Sequence, residues 1–401
     1  MDYKSNNIKN ILHGFFLAVA LTIAEPSTTL PLIVHHFSSN EVVVGLFTSL
    51  LRGGTIVVQL VAAFWAQSFT QMMPYLKRVF LARFLSWLSI GLAILFLGDK
   101  NPTLTLVAIG IGLFIFSFSA GFGSIYFNEI LAKVFTHEER GRSMANRQFF
   151  AAIGSILSGF VAGMILEHLD PPKSYAYLFI VSSFLMGFGL LAFSTIKEPK
   201  KSEVRQKERS FFKFLQNAFA LLKKDRSLQI QIFVVLLSYS FLFSFAFVIL
   251  QAKQYIDLTG WLVGGFITIQ MSGALLGNLL YKQLTPRFKL IMQLAFVFSI
   301  VAYISVLLFH SKTSFFFSFF LLGMAKDGFR LASMNLLFCI APKDLRPIYI
   351  ALQNNLTSIG LFFAIPGGLI LHHFGYNILY IFTISMLSFG LLLSFGLRAN
   401  C

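Results

Sequence analysis

The chain has 401 residues, 56% of them hydrophobic and only 12% charged, whereas a soluble globular protein carries roughly 25% charged side chains. One apolar stretch after another passes the roughly 18 residues that a helix needs to cross a hydrocarbon core about 30 Å thick, so the composition argues against a water-soluble fold and for an integral membrane protein. A formal charge of +16 would suggest nucleic acid in a soluble protein, but here the basic residues are read by the loops that hold them. Two cysteines, Cys339 and Cys401, make no disulfide framework.

Twelve spans are predicted, over residues 11–35, 42–66, 77–98, 103–132, 143–168, 175–196, 228–252, 261–283, 290–310, 314–340, 347–372 and 377–397. The first carries Glu25, eleven residues from His36 at its outer end. That is about 16 Å at 1.5 Å per residue, close to the midplane. Pro26 follows it. Proline donates no backbone hydrogen bond and disfavours helical geometry in the residue before it, so the carbonyl near Thr22 is freed and the helix should bend or break. In a helix Thr22 and Thr29 share the face of Glu25, at i−3 and i+4. A charge at this depth costs at least about 2.5 to 3.5 kcal/mol on insertion scales, which makes Glu25 a candidate proton-coupling carboxylate. A permanent ion pair that merely holds two helices is the competing reading. Lys4, Lys9, the apolar run from Ile11 and the small residues near Ala24 could imitate a secretory signal, but the first span is needed to complete the repeat described below.

Span 2 places Arg52 at nearly the depth of Glu25, beside Gly53 and Gly54, as a partner of Glu25 or as a substrate contact. Span 4 holds Ser117 and Ser119 as polar lining, with Glu129 and Lys133 one turn apart near its inner end, a structural pair or part of an inner gate. Arg140 and Arg142 follow in the loop to span 5, whose Gly154, Gly159 and Gly163 suit close helix packing.

Nearly all connections are short, so consecutive spans are antiparallel neighbours; the exception is 197–227. It carries ten Lys or Arg against four acids, and Phe211, Leu215, Ala218, Phe219 and Leu222 fall on one helical face. This reads as a linker lying along the membrane surface. It divides the chain into an N-terminal bundle, 1–196, and a C-terminal bundle, 228–401.

In the second half, Ser238, Tyr239, Ser240 and Ser244 of span 7 and Gln270 of span 8 are further polar lining. Any of these hydroxyls or amides could instead satisfy a neighbouring backbone. Span 10 supplies Lys326, Asp327 and Arg330. Lys326 and Arg330 share a face, and Asp327 can reach Arg330 at i+3. Arg52, Lys326 and Arg330 set against Glu25 and Asp327 leave one cation over at mid-depth, which leans toward an anionic or zwitterionic substrate or an anionic lipid headgroup. The alternative is that Lys326 snorkels or simply pairs with Asp327. Six histidines (His35, His36, His168, His310, His372, His373) fall at outer ends of spans. They read as interfacial residues rather than a metal site, because adjacent histidines point to opposite sides of a helix and no close carboxylate completes a ligand set. The 49 phenylalanines are read as lipid-facing bulk, although an aromatic pocket for a lipophilic compound is possible chemistry.

With the N-terminus inside, the inner tails and loops hold 21 Lys and Arg, and the outer loops hold four, Lys100, Lys173, Lys253 and Lys312. The positive-inside rule therefore puts both termini and the linker in the cytoplasm. A shift of 219 residues lays Gly45 on Gly264, Gly54 on Gly273 and Gln59 on Asn278, and one of 206 or 207 lays Asn128 on Asn335, Arg140 on Arg346 and Gly154 on Gly360. Two parallel six-helix halves follow.

Twelve spans in two six-helix halves around a basic central loop resemble the major facilitator superfamily of secondary transporters, over the whole chain. Glu198-Pro199 at the end of span 6 looks like that family's acidic-proline ending, and Arg140-Gly-Arg142 lies where the family often has basic residues. Between spans 2 and 3, Lys77-Arg78 keeps the family's basic cluster but its usual aspartate is missing. The resemblance implies an all-α integral membrane fold, two pseudo-symmetric bundles, and a central cavity lined by spans 1, 4, 7 and 10, which would turn the span 10 cluster toward substrate.

No nucleotide motif, zinc spacing or nucleophile elbow is present in the sequence. The expectation is a multi-pass protein of the plasma (inner) membrane, monomeric, not an enzyme, with no cofactor, no metal and no nucleic-acid partner. It would work by alternating access between lipid-embedded halves, with protons and a small molecule as its partners. Glu25 would carry the proton, Arg52, Lys326, Asp327, Arg330, Thr22, Thr29, Ser119, Tyr239 and Gln270 would contact substrate, and Glu129, Lys133, Arg140 and Arg142 would gate. A proton-driven exporter of lipophilic compounds is one alternative, and a non-transporting receptor or lipid scramblase another.

Overall fold

The computed structural model describes residues 3–25, 27–66, 69–200, 221–342 and 345–397, and no strand occurs among them. Most of the amphipathic stretch expected in the linker, together with Pro26, Lys343 and Cys401, lies outside the described residues.

Helices run α1 Tyr3–Ile23, α2 Thr29–Phe37, α3 Glu41–Ala66, α4 Met73–Leu97, α5 Pro102–Val134, α6 His137–His168 and α7 Lys173–Ser194. After the linker come α8 Arg226–Ser238, a 3₁₀ turn Tyr239–Phe241, α9 Leu242–Phe245, α10 Val248–Tyr255, α11 Gly260–Leu284, α12 Phe288–Leu308, α13 Lys312–Ile340, α14 Arg346–Thr357 and α15 Ala364–Ser394. Among the described residues, eight helices are long and apolar enough to cross a membrane. Helix α13 has the length, but carries Lys326, Asp327 and Arg330 along it.

Local sequence sets the ends. Asn101 accepts from the Leu104 amide at the start of α5, Thr136 and Glu139 form a capping box at α6, and Ser311 and Ser314 form one at α13; each satisfies amides that a helix N-terminus leaves open. Gly375, with φ 77°, kinks α15 in a left-handed conformation that side chains disfavour. This marks the expected boundary between the last two spans.

Two compact units form, one of Met1–Ser39, Leu50–Lys207 and Thr259–Thr268, the other of Asn40–Ser49, Glu208–Leu258 and Ile269–Cys401. In the first, α1 packs on α6 and α7, and α4 on α5 and α7. Its core includes the fully buried Trp87, whose indole N–H donates to Ser182 Oγ at 2.8 Å. A Cβ on Gly159 would strike Thr268 and the Gly264 carbonyl, so Gly159 and Gly163 serve close packing of α6 on the first turns of α11, while Gly154 faces Phe15 and Val19 of α1. In the second unit α12 packs on α13 and α15, with α8 against α13, α14 and α15. Large apolar side chains such as Phe96, Phe160, Phe188 and Leu392 stay exposed, as a lipid solvent demands. The phenylalanine run at the start of α13 divides: Phe315 and Phe319 are buried and Phe317 is exposed.

Candidate functional site

The first span is broken, as Glu25-Pro26 predicts: α1 stops at Ile23 and α2 begins at Thr29. Glu25 sits in the break, 5% exposed. Its amide donates to the Thr22 carbonyl at 3.1 Å, and its own carbonyl accepts from the amides of Thr28 and Leu30, so the turn satisfies part of the backbone that the lost helix leaves open. Its carboxylate lies 3.6 Å from the Arg52 guanidinium and accepts from Ser27 Oγ at 3.4 Å. Arg52 is thus the partner of Glu25 in this conformation.

The hydroxyls around the acid differ from the expectation. Thr22 donates to Ser155 Oγ of α6 at 3.1 Å, and it is Ser27 that reaches Glu25. The i+4 relation to Thr29 presumes a continuous helix, and the helix is not continuous here. The hydroxyls of Thr28 and Thr29 are buried with no hydrogen-bond partner.

Ser119 is buried and donates to the Phe116 carbonyl at 3.0 Å, satisfying backbone of its own helix. Ser117 lies 3.3 Å from Thr55 Oγ1, joining α5 to α3.

In the second unit, Asp327 Oδ2 accepts from Asn278 Nδ2 of α11 at 2.6 Å, and Oδ1 pairs with Arg330 at 3.3 Å. Asp327 is thereby held by Asn278 and Arg330, and Lys326 is half-buried one residue away. The Arg330 side chain is 72% exposed. Gln270 is fully buried in α11. Tyr239 stands in the 3₁₀ turn that interrupts the seventh span. That interruption replaces the continuous helix expected at 228–252. No proline or glycine causes it; the Tyr303 hydroxyl of α12 donates to the Phe241 carbonyl at 2.5 Å, and Ser244 Oγ meets Thr383 Oγ1 at 2.7 Å. A side chain inserted into the helical ladder is a recognised cause of such breaks.

Near the C-terminal end of α5, Lys133 pairs with Glu198 at 2.6 Å, correcting the local pairing with Glu129. Glu198 also accepts from the amides of Met72 (2.8 Å) and Met73 (2.7 Å) at the start of α4. The acidic-proline ending therefore supplies a carboxylate to the α4 N-terminus, where a negative charge is favoured. Arg142 makes an exposed pair with Glu138 at 3.4 Å, and Arg140 is half-buried near it.

Sequence reasoning misses several partners. Glu41 accepts at 3.0 Å from His372 Nδ1, a carboxylate beside a histidine that periodicity cannot foresee because 331 residues separate the two. Among the described residues no group of three or more His, Cys, Asp or Glu is gathered as a metal site would need. Asn278 is visible in the sequence only as the repeat mate of Gln59.

The fold is shared with solved transporters of low sequence identity. A nucleoside transporter, NupG, superposes with a TM-score of 0.72 at 13% identity, covering 98% of each chain. An auto-inhibited POT family peptide transporter gives 0.71 at 12%, over 99% of this chain and 96% of that one. A D-xylose-proton symporter gives 0.69 at 16%, over 99% and 97%. No curated protein matches by sequence. The family model of the Major Facilitator Superfamily matches residues 11–309, and the chain belongs to that family of membrane transporters.

Proposed function

We propose that the protein is a proton-coupled secondary transporter that moves a small anionic or zwitterionic solute by alternating access, with Glu25 as the coupling carboxylate. Twelve crossings in two bundles of six, both termini in the cytoplasm and a monomer in the inner membrane complete the proposal. The observation that carries it is a carboxylate 5% exposed in a broken first span, 3.6 Å from the Arg52 guanidinium. Such a pair has two states. With Glu25 ionised, Arg52 is held to it; protonation of Glu25 would release Arg52 to a substrate anion, and substrate leaving would return the proton to competition with Arg52. Broken helices at mid-depth are where transporters place such sites. A peptide transporter and a sugar-proton symporter among the structural neighbours are consistent with solute chemistry of this kind. In the second bundle, Lys326 and Arg330 supply cationic contacts and Asp327 an anionic one, the combination that a zwitterion needs. Gln270 and Tyr239 would add polar contacts, and the Glu198–Lys133 pair together with Glu129, Arg140 and Arg142 would act at the inner end.

The test is Glu25→Gln in proteoliposomes, using a solute identified by thermal-shift screening of a metabolite and drug panel. Uptake driven by a pH gradient should fall to background while ligand-stabilised melting persists. Unchanged gradient-driven uptake removes Glu25 as the coupling group.

A further inference from the structure

The charge cluster of α13 is anchored on a seam between two helices. Along α11, Gly273, Gly277 and Tyr281 follow one another at i, i+4 and i+8 and so share a face. A Cβ on Gly273 would strike the Phe320 carbonyl, one on Gly277 would lie 3.1 Å from Met324 Cα, and one on Gly328 would lie 2.6 Å from the Tyr281 hydroxyl. In each pair the partners are 47 residues apart in the chain. Helices α11 and α13 therefore run parallel in constant register, at the close approach that glycine allows within a membrane. The Tyr281 hydroxyl fastens the seam by donating to the Met324 carbonyl at 2.8 Å.

Asn278 and Asp327 stand next to Gly277 and Gly328, and the close approach brings their side chains together: Asn278 Nδ2 donates to Asp327 Oδ2 at 2.6 Å. The other oxygen, Oδ1, faces the Arg330 guanidinium at 3.3 Å, one turn along α13. The remaining ionisable groups beside Asp327 are Lys326 on its own helix and Tyr281 on α11. Helix α12, which brings Ala295 to Gly328, has no ionisable residue between Lys289 and Tyr303, and α8 has none beyond Arg226.

Each oxygen of Asp327 thus meets a donor, an arrangement that favours the ionised form. The two donors differ. An amide can turn and offer its oxygen to a protonated acid, whereas a guanidinium has no acceptor to offer. Arg330 therefore sets the charge of Asp327, and Asn278 sets where that charge points. Because Arg330 is on the same helix, movement of one helix past another cannot part the pair, and the glycine seam keeps Asn278 opposite. Glu25 and Arg52 stand on different elements of the chain, and a pair of that kind can open.

We propose that Asn278 is a positioning residue that holds Asp327 as a fixed negative charge, so that the α13 cluster meets a solute without exchanging a proton. The proposal rests on the transporter reading for the solute alone. The state of Asp327 is measured without one, so the two can fail separately.

The experiment uses the full chain in detergent with the proton as probe. Infrared spectra are taken between about pH 6 and pH 8, where an ordinary carboxylate stays ionised and any protonated side-chain carboxyl shows its own carbonyl band. Subtracting the spectrum of Asp327→Asn from that of the wild type should leave no such band. Asn278→Asp sets two carboxyls in one contact, where both cannot ionise, and one band should appear. Its melting temperature should also fall as pH rises, because the folded state holds a shared proton that the unfolded chain gives up. Exchanging the pair, Asn278→Asp with Asp327→Asn, puts one acid and one amide back in the contact, so the band should vanish and the pH dependence should return to that of the wild type. The same results are expected in a Glu25→Gln background. A wild-type band that Asp327→Asn removes overturns the proposal. So does an Asn278→Asp protein with no new band and a melting loss equal at every pH, the behaviour of an asparagine that only fills the seam. Should Asn278→Asp fail to fold, the wild type against Asp327→Asn still decides the state of Asp327. The exchanged pair then reports whether the two residues meet, by melting above Asp327→Asn if they do and not if they do not.

Discussion

The first and seventh spans are both interrupted, and the shift of 219 residues that aligns spans 2 and 8 lays Glu25 on Ser244, three residues past the 3₁₀ turn. One break is built around charge and the other around hydroxyls. In the first unit, Glu25 sits beside Arg52 at 3.6 Å. In the second, Ser244 meets Thr383 and the Tyr303 hydroxyl caps the Phe241 carbonyl. A second pair of contacts repeats the contrast, with a Lys133–Glu198 ion pair in one unit and a Tyr349 hydroxyl donating to Asp225 at 2.5 Å in the other. A neutral break gives geometry alone, whereas a charged break can also change state with a proton. The proposed proton chemistry therefore rests on the break in the first unit, where an ion pair stands, and the second unit's charges gather instead in the Lys326, Asp327 and Arg330 cluster on α13.

If that division holds, substitutions in the two units should fail in different ways. The largest stability effect is expected from Glu198→Ala, which strands the buried Lys133 and uncaps α4; removing one partner of a buried pair costs about 3 to 5 kcal/mol, and thermal unfolding in detergent should show it. Arg330→Gln should weaken an anionic solute about tenfold or more, the worth of a charge-assisted hydrogen bond, and a neutral analogue far less; equal weakening would sink the argument from surplus cations. Tyr303→Phe leaves the Phe241 carbonyl without its donor, a loss of about 1 to 3 kcal/mol, and should lower the melting temperature with proton coupling intact. Smallest is Ser244→Ala, about 1 kcal/mol for one neutral hydrogen bond, again with coupling intact. Loss of coupling in either of the last two would erase the distinction between the breaks.

The break at Glu25 is legible in the sequence because proline acts locally on the residue before it and on the carbonyl four before. That in the seventh span is not, since its cause is a hydroxyl 62 residues away and no local residue announces it. Depth counting along helices brings Glu25 and Arg52 together correctly. The same counting misplaces Thr22 and Thr29, because helical spacing does not survive the break it predicts. Lys133 illustrates a different limit: the nearest acid one turn away is Glu129, but Glu198 is 65 residues on and forms the pair. Arg83 and Arg147 escape the loop-by-loop count of charges, although their positions ten residues inside helices show that five ionisable residues near mid-membrane is too few.

The central claim is that Glu25 exchanges a proton with each turnover. It is tested most directly by sealing a pH-sensitive dye inside proteoliposomes and adding the solute found by the thermal-shift screen. Wild-type protein should change the lumenal pH as solute moves, and Glu25→Gln should exchange solute across the membrane with no pH change. A pH change of wild-type size in Glu25→Gln would contradict the account and return Glu25 and Arg52 to the role of a fixed ion pair.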